Sequence, residues 1–261
     1  MLTHTDSSSL GATALRVHNL TVRYAGHLYD RPALEEVSLK LAAGTVTGLI
    51  GVNGAGKSTL FDAIMGLRHG DTGTVELHRP VAYVPQHHHV DWNFPISVAE
   101  VVGSGTTNPH NAWEWGVWGW RRPKNKKRIA AALERTNLAD LRRRPIAELS
   151  GGQKKRVFVA RGIAQGARVM LLDEPFAGVD EASRAEIVAL LHELAAEGVA
   201  VLVSTHDLTH LPQLCERAVL LNRRVVADGP VAEVLAPEVL AEGFAGGSPR
   251  GFAGDGGYAC V

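Results

Sequence analysis

A glycine-rich loop between an apolar segment and a helical one constrains the fold of this chain more than any other feature. The loop reads GVNGAGKS over residues 51–58 and fits the pattern G-x-x-x-x-G-K-[ST]. The segment before it, TVTGLI (45–50), is rich in β-branched residues and predicts a short strand, while KSTLFDAIMGL (57–67) predicts a helix. Because glycines let backbone N–H groups surround phosphate oxygens, this order of elements predicts a phosphate-binding loop.

The residues of this loop have separate tasks. Lys57 can reach the terminal phosphates of a nucleotide, and Ser58 can offer its hydroxyl to Mg²⁺. A chance match is the alternative for so short a motif, but the strand before it and the helix after it argue against chance. The positions expected to contact the nucleotide here are Gly51, Asn53, Gly54, Ala55, Gly56, Lys57, Ser58 and Thr59.

Two acids follow a second apolar segment, RVMLLDEP (168–175). Asp173, at the end of this predicted strand, can hold the Mg²⁺ shell, and Glu174 can then polarise a water for attack on the γ-phosphate. The alternative is an ordinary acidic turn after a core strand. A phosphate-binding loop earlier in the chain favours the catalytic interpretation.

A second candidate anion site is LSGGQ (149–153), which precedes the helical segment KKRVFVARGIA. A serine and two glycines at a helix N-terminus leave backbone N–H groups free to meet an anion. Two phosphate-binding loops in one chain suggest that an ATP lies between the first loop of one copy and the second loop of another.

These motifs together resemble those of ABC-type ATPases, and further positions match in the same order along residues 14–244. Tyr24 lies where that family has an aromatic residue that stacks on adenine. Gln86 occupies the position of the Q-loop glutamine, and Asp180 ends FAGVD, which is similar to the D-loop. His206, in STHD, corresponds to the switch histidine that contacts the γ-phosphate.

The resemblance implies a set of roles. Glu174 would be the general base, with His206 and Gln86 as further catalytic residues. The Mg²⁺ of bound Mg·ATP would be held by Ser58, Gln86 and Asp173. Outside the glycine-rich loop, ATP would be contacted by Tyr24, Ser150, Gly151, Gly152, Gln153 and Asp180. LSGGQ corresponds to the signature motif of the family, and its residues would act on the partner copy's nucleotide.

The remaining segments indicate an α/β fold. The apolar runs at 168–173 and 199–205 flank an amphipathic helix at 180–198, a pattern typical of a parallel sheet covered by helices. LRVHNLTVRY (15–24) alternates like a half-buried strand. With the resemblance, this predicts a P-loop NTPase (RecA-like) core with a parallel sheet, an N-terminal antiparallel β region and a helical subdomain inserted at about 90–155. Within that subdomain, the composition of residues 126–141 predicts a helix.

The ends of the chain have a different composition. Residues 1–13 are small and polar, and 245–261 are rich in glycine, so both are predicted to be flexible and to flank an ATPase domain at 14–244. The start of the chain does not have the composition of a signal peptide, and no run of about 18 apolar residues predicts a membrane span. Cys215 and Cys260 are the only cysteines, which does not favour a disulfide framework.

The stretch YVPQ…VDWNFPISVAEVV (83–102) resembles the ATPase subunits of manganese, zinc and iron uptake systems, and LLDEPFAGVD and VSTHDL are similar to the same subfamily. This resemblance implies an ATP-hydrolysing subunit at the cytoplasmic face of the membrane that powers import of a divalent metal. Its partners would be a second copy of the chain, an integral membrane permease and, indirectly, an extracytoplasmic metal-binding protein. The chain departs from the subfamily after residue 102.

Several features leave alternatives open. His87–His89 directly follow Gln86 in this stretch, but adjacent side chains diverge on an extended segment, so a structural or partner-contact role is favoured over metal binding. The tryptophans of WEWGVWGW (113–120) could contact the permease or pack internally. The basic runs at 121–128 and 142–144 could bind nucleic acid or lipid headgroups, although a solvated face is favoured.

Other functions of an ABC-type ATPase are export, transport of chelated iron or haem, and action on DNA or ribosomes without transport. The 27 basic and 27 acidic residues balance, which argues against a nucleic-acid partner. Chromosome-type members place a long coiled coil between the two phosphate loops, whereas only 91 residues separate Lys57 from Leu149 here. Ribosome-acting members usually carry two cassettes in one chain, and this chain has one.

Overall fold

A computed structural model describes residues 13–24, 31–86, 94–106 and 122–244 of the 261-residue chain. The three histidines at 87–89, the tryptophan-rich stretch at 113–120 and the glycine-rich end at 245–261 lie outside the described residues. The same holds for the predicted flexible start, apart from Thr13, which begins the first strand.

The described residues contain nine strands and eight α-helices. The strands are β1 (Thr13–Val22), β2 (Leu34–Ala42), β3 (Val46–Ile50), β4 (Thr72–Leu77), β5 (Val81–Val84), β6 (Val169–Asp173), β7 (Ala200–Ser204), β8 (Arg217–Asn222) and β9 (Arg224–Pro230). The helices are α1 (Lys57–Met65), α2 (Val98–Ser104), α3 (Pro123–Arg135), α4 (Gly151–Gln165), α5 (Glu181–Ala196), α6 (Leu211–Leu214), α7 (Val231–Val234) and α8 (Pro237–Gly243).

The larger sheet has six strands in the order β5-β6-β7-β3-β8-β9. Neighbours are parallel from β5 to β8, and β9 is antiparallel to β8. Every residue of β3, β6 and β7 is buried, as expected for parallel strands that are covered on both faces. The two apolar runs recognised in the sequence are therefore neighbouring central strands of this sheet.

Each face of the large sheet packs against a different layer. Alternate residues such as Leu49 and Leu202 contribute to a core shared with α1 and the smaller sheet, whose order is β2-β1-β4 and whose strands are antiparallel. Their neighbours Ile50 and Val203 point into a second core formed with the other helices. Helix α1 is thus enclosed between two sheets, where Leu60, Phe61 and Ile64 are fully buried.

Helix α5 covers the second face with the amphipathic pattern that its sequence predicts. Ile187, Leu190, Leu191 and Leu194 recur at helical spacing and are all buried, while the residues between them are mostly exposed. Asp180 is the N-cap residue, and its Oδ1 accepts a hydrogen bond from the backbone N–H of Ser183 at 2.9 Å.

The described residues between β5 and β6 form helices and turns, apart from an isolated bridge between Ser97 and Pro145. Helices α2, α3 and α4 pack against one another, and α4 also packs on β5. The predicted helix at 126–141 was wrong at both ends: α3 begins at Pro123 and ends at Arg135, because Asn137 adopts a left-handed conformation with φ of 53°. The α/β core, the antiparallel region and the inserted helical subdomain are confirmed.

No helix in the described ranges is long and apolar enough to cross a membrane.

Candidate functional site

The candidate site forms where parallel strands of the large sheet reach their carboxyl ends. The glycine-rich loop follows β3, Gln86 follows β5, and His206 follows β7. Asp173 is the last residue of β6, and Glu174 comes directly after it. Because β3, β6 and β7 are close neighbours in the sheet, residues that are more than a hundred positions apart in sequence meet at one edge.

The glycine-rich loop has a backbone that only glycine accommodates at Gly56. This residue has φ of 99°, and a Cβ there would lie 2.6 Å from Leu34 Cδ2 and 2.7 Å from the Ala33 carbonyl oxygen. Gly56 is also the N-cap of α1 and provides no side-chain cap, so the first N–H groups of α1 stay available to an anion. The backbone N–H of Arg223 bonds to the Ala55 carbonyl at 2.8 Å and braces the loop from the turn after β8.

Lys57 is folded back over the loop. Its Nζ donates hydrogen bonds to the carbonyl oxygens of Gly51 at 2.7 Å and Val52 at 3.2 Å. Burial lowers the pKa of Lys57, whereas the charges of Glu174 and Asp173 act in the opposite direction. An ammonium group has three donors, so the third remains for a phosphate oxygen.

Asp173 is held by three side chains. Its Oδ1 accepts a 2.6 Å hydrogen bond from the Ser204 hydroxyl, and its Oδ2 accepts from Tyr83 Oη at 3.3 Å and from Ser58 Oγ at 3.4 Å. The carboxyl group belongs to a residue that is only 3% exposed. Ser58 and Asp173, which were expected to share a magnesium ion, are therefore brought together.

Ser204 and Tyr83 are contributors that the sequence analysis did not identify. Ser204 lies opposite Asp173 in the pairing of β6 with β7, and its hydroxyl also accepts a hydrogen bond from the backbone N–H of Glu174 at 2.9 Å. Both residues occur inside quoted motifs, VSTHDL and YVPQ. The signal that would have found them is the strand order, since β5 and β7 flank β6.

Glu174 has the backbone conformation of a strained position, with φ of 45°. Its carboxylate is positioned by two of the expected residues. Gln86 Nε2 donates to Oε2 at 2.8 Å, and His206 Nδ1 lies 3.3 Å from Oε1. Gln86 was expected at the magnesium ion as well, but the hydrogen bond that the structure gives its amide is to Glu174.

A cavity of about 380 Å³ opens beside this carboxylate. Its lining includes Glu174, His206 and the D-loop residue Gly178. The turn that carries His206 is held from α5, because Arg184 Nη1 donates to Asp207 Oδ2 at 2.6 Å. The site thus combines a positioned carboxylate with space for a reactant next to it.

Tyr24 is 37% exposed near the start of α1. Its hydroxyl lies 3.0 Å from Thr59 Oγ1, and the Arg68 guanidinium carbon lies 4.1 Å from the ring centroid. Thr59, expected at the nucleotide, therefore has a hydroxyl contact with Tyr24. The stacking of Arg68 on the ring fixes the aromatic plane.

The second loop forms a well-capped helix start. Ser150 is the N-cap of α4, with its Oγ accepting from Gln153 N at 3.3 Å and its N–H donating to Gln153 Oε1 at 3.0 Å. A Cβ on Gly152 would lie 2.6 Å from Ser183 Cβ, so this helix start packs against the start of α5, which Asp180 caps. The signature and D-loop motifs are adjacent within one chain.

Comparison with known proteins agrees with this geometry. The family model for the ABC transporter domain matches residues 34–177, more than half of the chain. The chain belongs to the ABC transporter family. It binds ATP, and it hydrolyses ATP in order to drive transport through a membrane partner.

Two relatives and one solved structure illustrate the similarity. The chain is 44% identical over 246 residues to the chelated iron transport system membrane protein YfeB of Yersinia pestis, covering 89% of this chain and 79% of the relative. It is 39% identical over 250 residues to the manganese transport system ATP-binding protein MntA of a Synechocystis strain, covering 92% and 93%. A crystal structure of a nucleotide-free ATP-binding cassette from an ABC transporter superposes with a TM-score of 0.76 at 26% identity, covering 87% and 97%.

Proposed function

We propose that this ABC transporter subunit powers the import of a divalent metal ion, manganese or zinc, through a separate membrane permease. The observation that carries the proposal is the identity of about two residues in five, over nearly the whole chain, to proteins of a chelated iron transport system and a manganese transport system. The stretch VDWNFP after Gln86, which resembles the metal-uptake subfamily, supports the same cargo class.

Glu174 is the general base of ATP hydrolysis in this proposal. The carboxylate accepts a proton from the attacking water, and Gln86 keeps it oriented through the 2.8 Å hydrogen bond. His206, on the other carboxylate oxygen, contacts the γ-phosphate and holds the attacking geometry. Lys57 directs its remaining donor at the terminal phosphates, and Tyr24 offers its ring face to adenine.

Magnesium fits the oxygen donors beside the glycine-rich loop. The Asp173 carboxylate and the Ser58 hydroxyl approach within 3.4 Å, and the buried carboxylate brings a negative charge that a hard cation would neutralise. These two residues would hold Mg²⁺, and Gln86, whose Nε2 donates to Glu174, would still have its amide oxygen as a further ligand. When bound, the ion would neutralise charge on the phosphate oxygens.

The second copy of the chain completes the site. At the start of α4, Ser150 and Gln153 use their own N–H groups in the cap, and the backbone N–H groups of Gly151 and Gly152 between them would meet the nucleotide held by the glycine-rich loop of the partner. Asp180 would lie at the same interface. The assembly works at the cytoplasmic face of the membrane with the permease and, indirectly, with an extracytoplasmic metal-binding protein, and no nucleic acid takes part.

The cargo is tested in cells whose own gene is replaced by one for a variant that cannot hydrolyse ATP. Glu174→Gln keeps the shape of the side chain but removes the base, and Glu193→Gln makes the same chemical change on an exposed position of α5. Elemental analysis should then show a selective fall in manganese or zinc with Glu174→Gln alone. Unchanged metal contents in cells where the ATPase activity is lost would overturn the metal cargo and leave the ATPase assignment intact.

A further inference from the structure

Side chains of α4 donate hydrogen bonds to the backbone along the outer edge of β5. Within the described residues, β5 is an edge strand of the large sheet. Three successive outward carbonyls, two in β5 and one directly after it, accept hydrogen bonds from α4: Val81 from Gln165 Nε2 at 3.1 Å, Tyr83 from an Arg161 guanidinium nitrogen at 2.9 Å, and Pro85 from Lys155 Nζ at 2.9 Å.

The spacing of the two elements allows this side-chain ladder. Carbonyls two residues apart on a strand point the same way, and the carbonyl of Pro80, one residue before Val81, instead accepts from Arg168 N on the side of β6. From Val81 to Pro85 a strand extends about 13 Å, and ten residues of helix from Lys155 to Gln165 rise about 15 Å. Helix α4 thus runs along the free edge and takes the place of a further strand.

Lys155 is the unusual member of the ladder. The residue is 1% exposed, and the hydrogen bond described for its ammonium group is to a backbone carbonyl. Burying a charged amine here has a desolvation cost that an apolar side chain of similar volume would avoid. The lysine therefore indicates that its contact has a role.

The bonded carbonyl lies one residue before Gln86. The connection therefore runs from Lys155 to Pro85, through one peptide bond to Gln86, and across the 2.8 Å hydrogen bond to Glu174. At its other end, Lys155 is five residues after Ser150, which caps the same helix. A shift of α4, the signature helix, would therefore displace the Gln86 amide.

We propose that Lys155 is a positioning residue that holds Gln86 against Glu174 and so ties the signature helix to the hydrolysis site. This inference rests on the role proposed above for Gln86. Arg161 and Gln165 bond carbonyls farther from Gln86, so they secure the strand edge and have a smaller effect on turnover.

The test is a double-mutant cycle in the full-length protein. Lys155→Met removes the donor and the charge at nearly constant volume, and Lys127→Met makes the same change on the exposed face of α3. We expect Lys155→Met to lower kcat about tenfold with KM for ATP changed less than about twofold, since misplacing a positioned group affects the reaction more than binding. Lys127→Met should match the wild type.

The decisive arm combines the change with Gln86→Ala. If Lys155 acts through Gln86, adding Lys155→Met to Gln86→Ala should lower kcat no further, within about twofold. Multiplication of the two single effects would overturn the inference while leaving the role of Gln86 intact. A Gln86→Ala protein with wild-type kcat would instead refute the proposed role of Gln86, and this inference with it.

A loss of folding is separated from a loss of positioning by a second variant. Gln165→Met removes the ladder bond at the far end of β5. It should destabilise the same strand edge and keep kcat within about twofold of the wild type. If Lys155→Met and Gln165→Met lower kcat equally, the ladder acts only as a structural support and Lys155 has no special role.

Discussion

Replacing Ser204 by alanine should weaken both the fold and the hydrolysis site. The hydroxyl is fully buried, donates to the Asp173 carboxylate at 2.6 Å and accepts from the Glu174 N–H at 2.9 Å. Alanine leaves the carboxylate without its shortest hydrogen bond and the N–H without this acceptor. A hydrogen bond to a charged group contributes about 1.5–3 kcal/mol, and the cost of a buried donor left unpaired is of similar size.

Since the two losses share one site and are not fully additive, we expect Ser204→Ala to lower the free energy of unfolding by about 2 to 4 kcal/mol. For a domain of this size, that corresponds to a fall in Tm of roughly 5–15 °C. Turnover should fall as well, because the same hydroxyl positions Asp173 and Glu174. Thermal melting and steady-state ATPase rates of the purified variant measure both effects.

Ser38→Ala provides the matched control. Ser38 Oγ also makes two hydrogen bonds, donating to Asn19 Oδ1 at 3.0 Å and accepting from Asn19 N at 2.9 Å, but on the exposed face of β2. Water can replace these bonds, so the loss should be below about 1 kcal/mol and the ATPase rate should not change. Equal melting temperatures and equal rates for the two variants would refute the reasoning about the buried hydroxyl.

Three further changes test other parts of the structure. Gly56→Ala should abolish ATP binding without unfolding the chain, because the new Cβ would strike Leu34 in a left-handed backbone; tight nucleotide binding by calorimetry would contradict this. Leu191→Ala, in the buried stripe of α5, should cost about 2–5 kcal/mol in denaturant unfolding, and a loss under 1 kcal/mol would mean a looser core than described. Burial lowers the pKa of Lys155 from 10.5 to about 8, with Asp173 and Glu174 opposing the shift. The folded protein therefore binds this proton less tightly than the unfolded chain. The free energy of unfolding of the wild type should rise relative to that of Lys155→Met as pH rises from 8 to 10.5, and a pH-independent difference would contradict the shift.

The sequence was sufficient to predict the core of the fold where local signals are strong. The strands at 168–173 and 199–205 have long apolar runs, and the helix at 180–198 has a clear stripe, so each was found within two residues of its observed ends. The strands β4, β5, β8 and β9 were not identified. β4 is a largely exposed edge strand and β5 has only four residues, so neither has a distinctive pattern, whereas the buried apolar run AVLL (218–221) of β8 was a signal that could have been used.

The candidate site was predictable only as far as its motifs are local. The loop at 51–58 and the acids at 173 and 174 are each contiguous in sequence. The contacts of Ser204, Tyr83 and Lys155 depend on strand order and on the path of α4, with partners 31, 90 and 70 residues away. No local pattern contains that information, because a serine, tyrosine or lysine within a strand or helix does not indicate which distant residue it will contact.

Glu174, whose carboxylate is held by Gln86 and whose backbone N–H donates to Ser204, is proposed as the base for ATP hydrolysis. The most direct test compares ATP affinity and kcat for the wild type, Glu174→Gln and the exposed control Glu193→Gln. We predict that Glu174→Gln binds ATP within about threefold of the wild type while kcat falls about a hundredfold or more, since general-base catalysis contributes about 10²–10⁴-fold. A Glu174→Gln protein that hydrolyses ATP as fast as Glu193→Gln would contradict the claim.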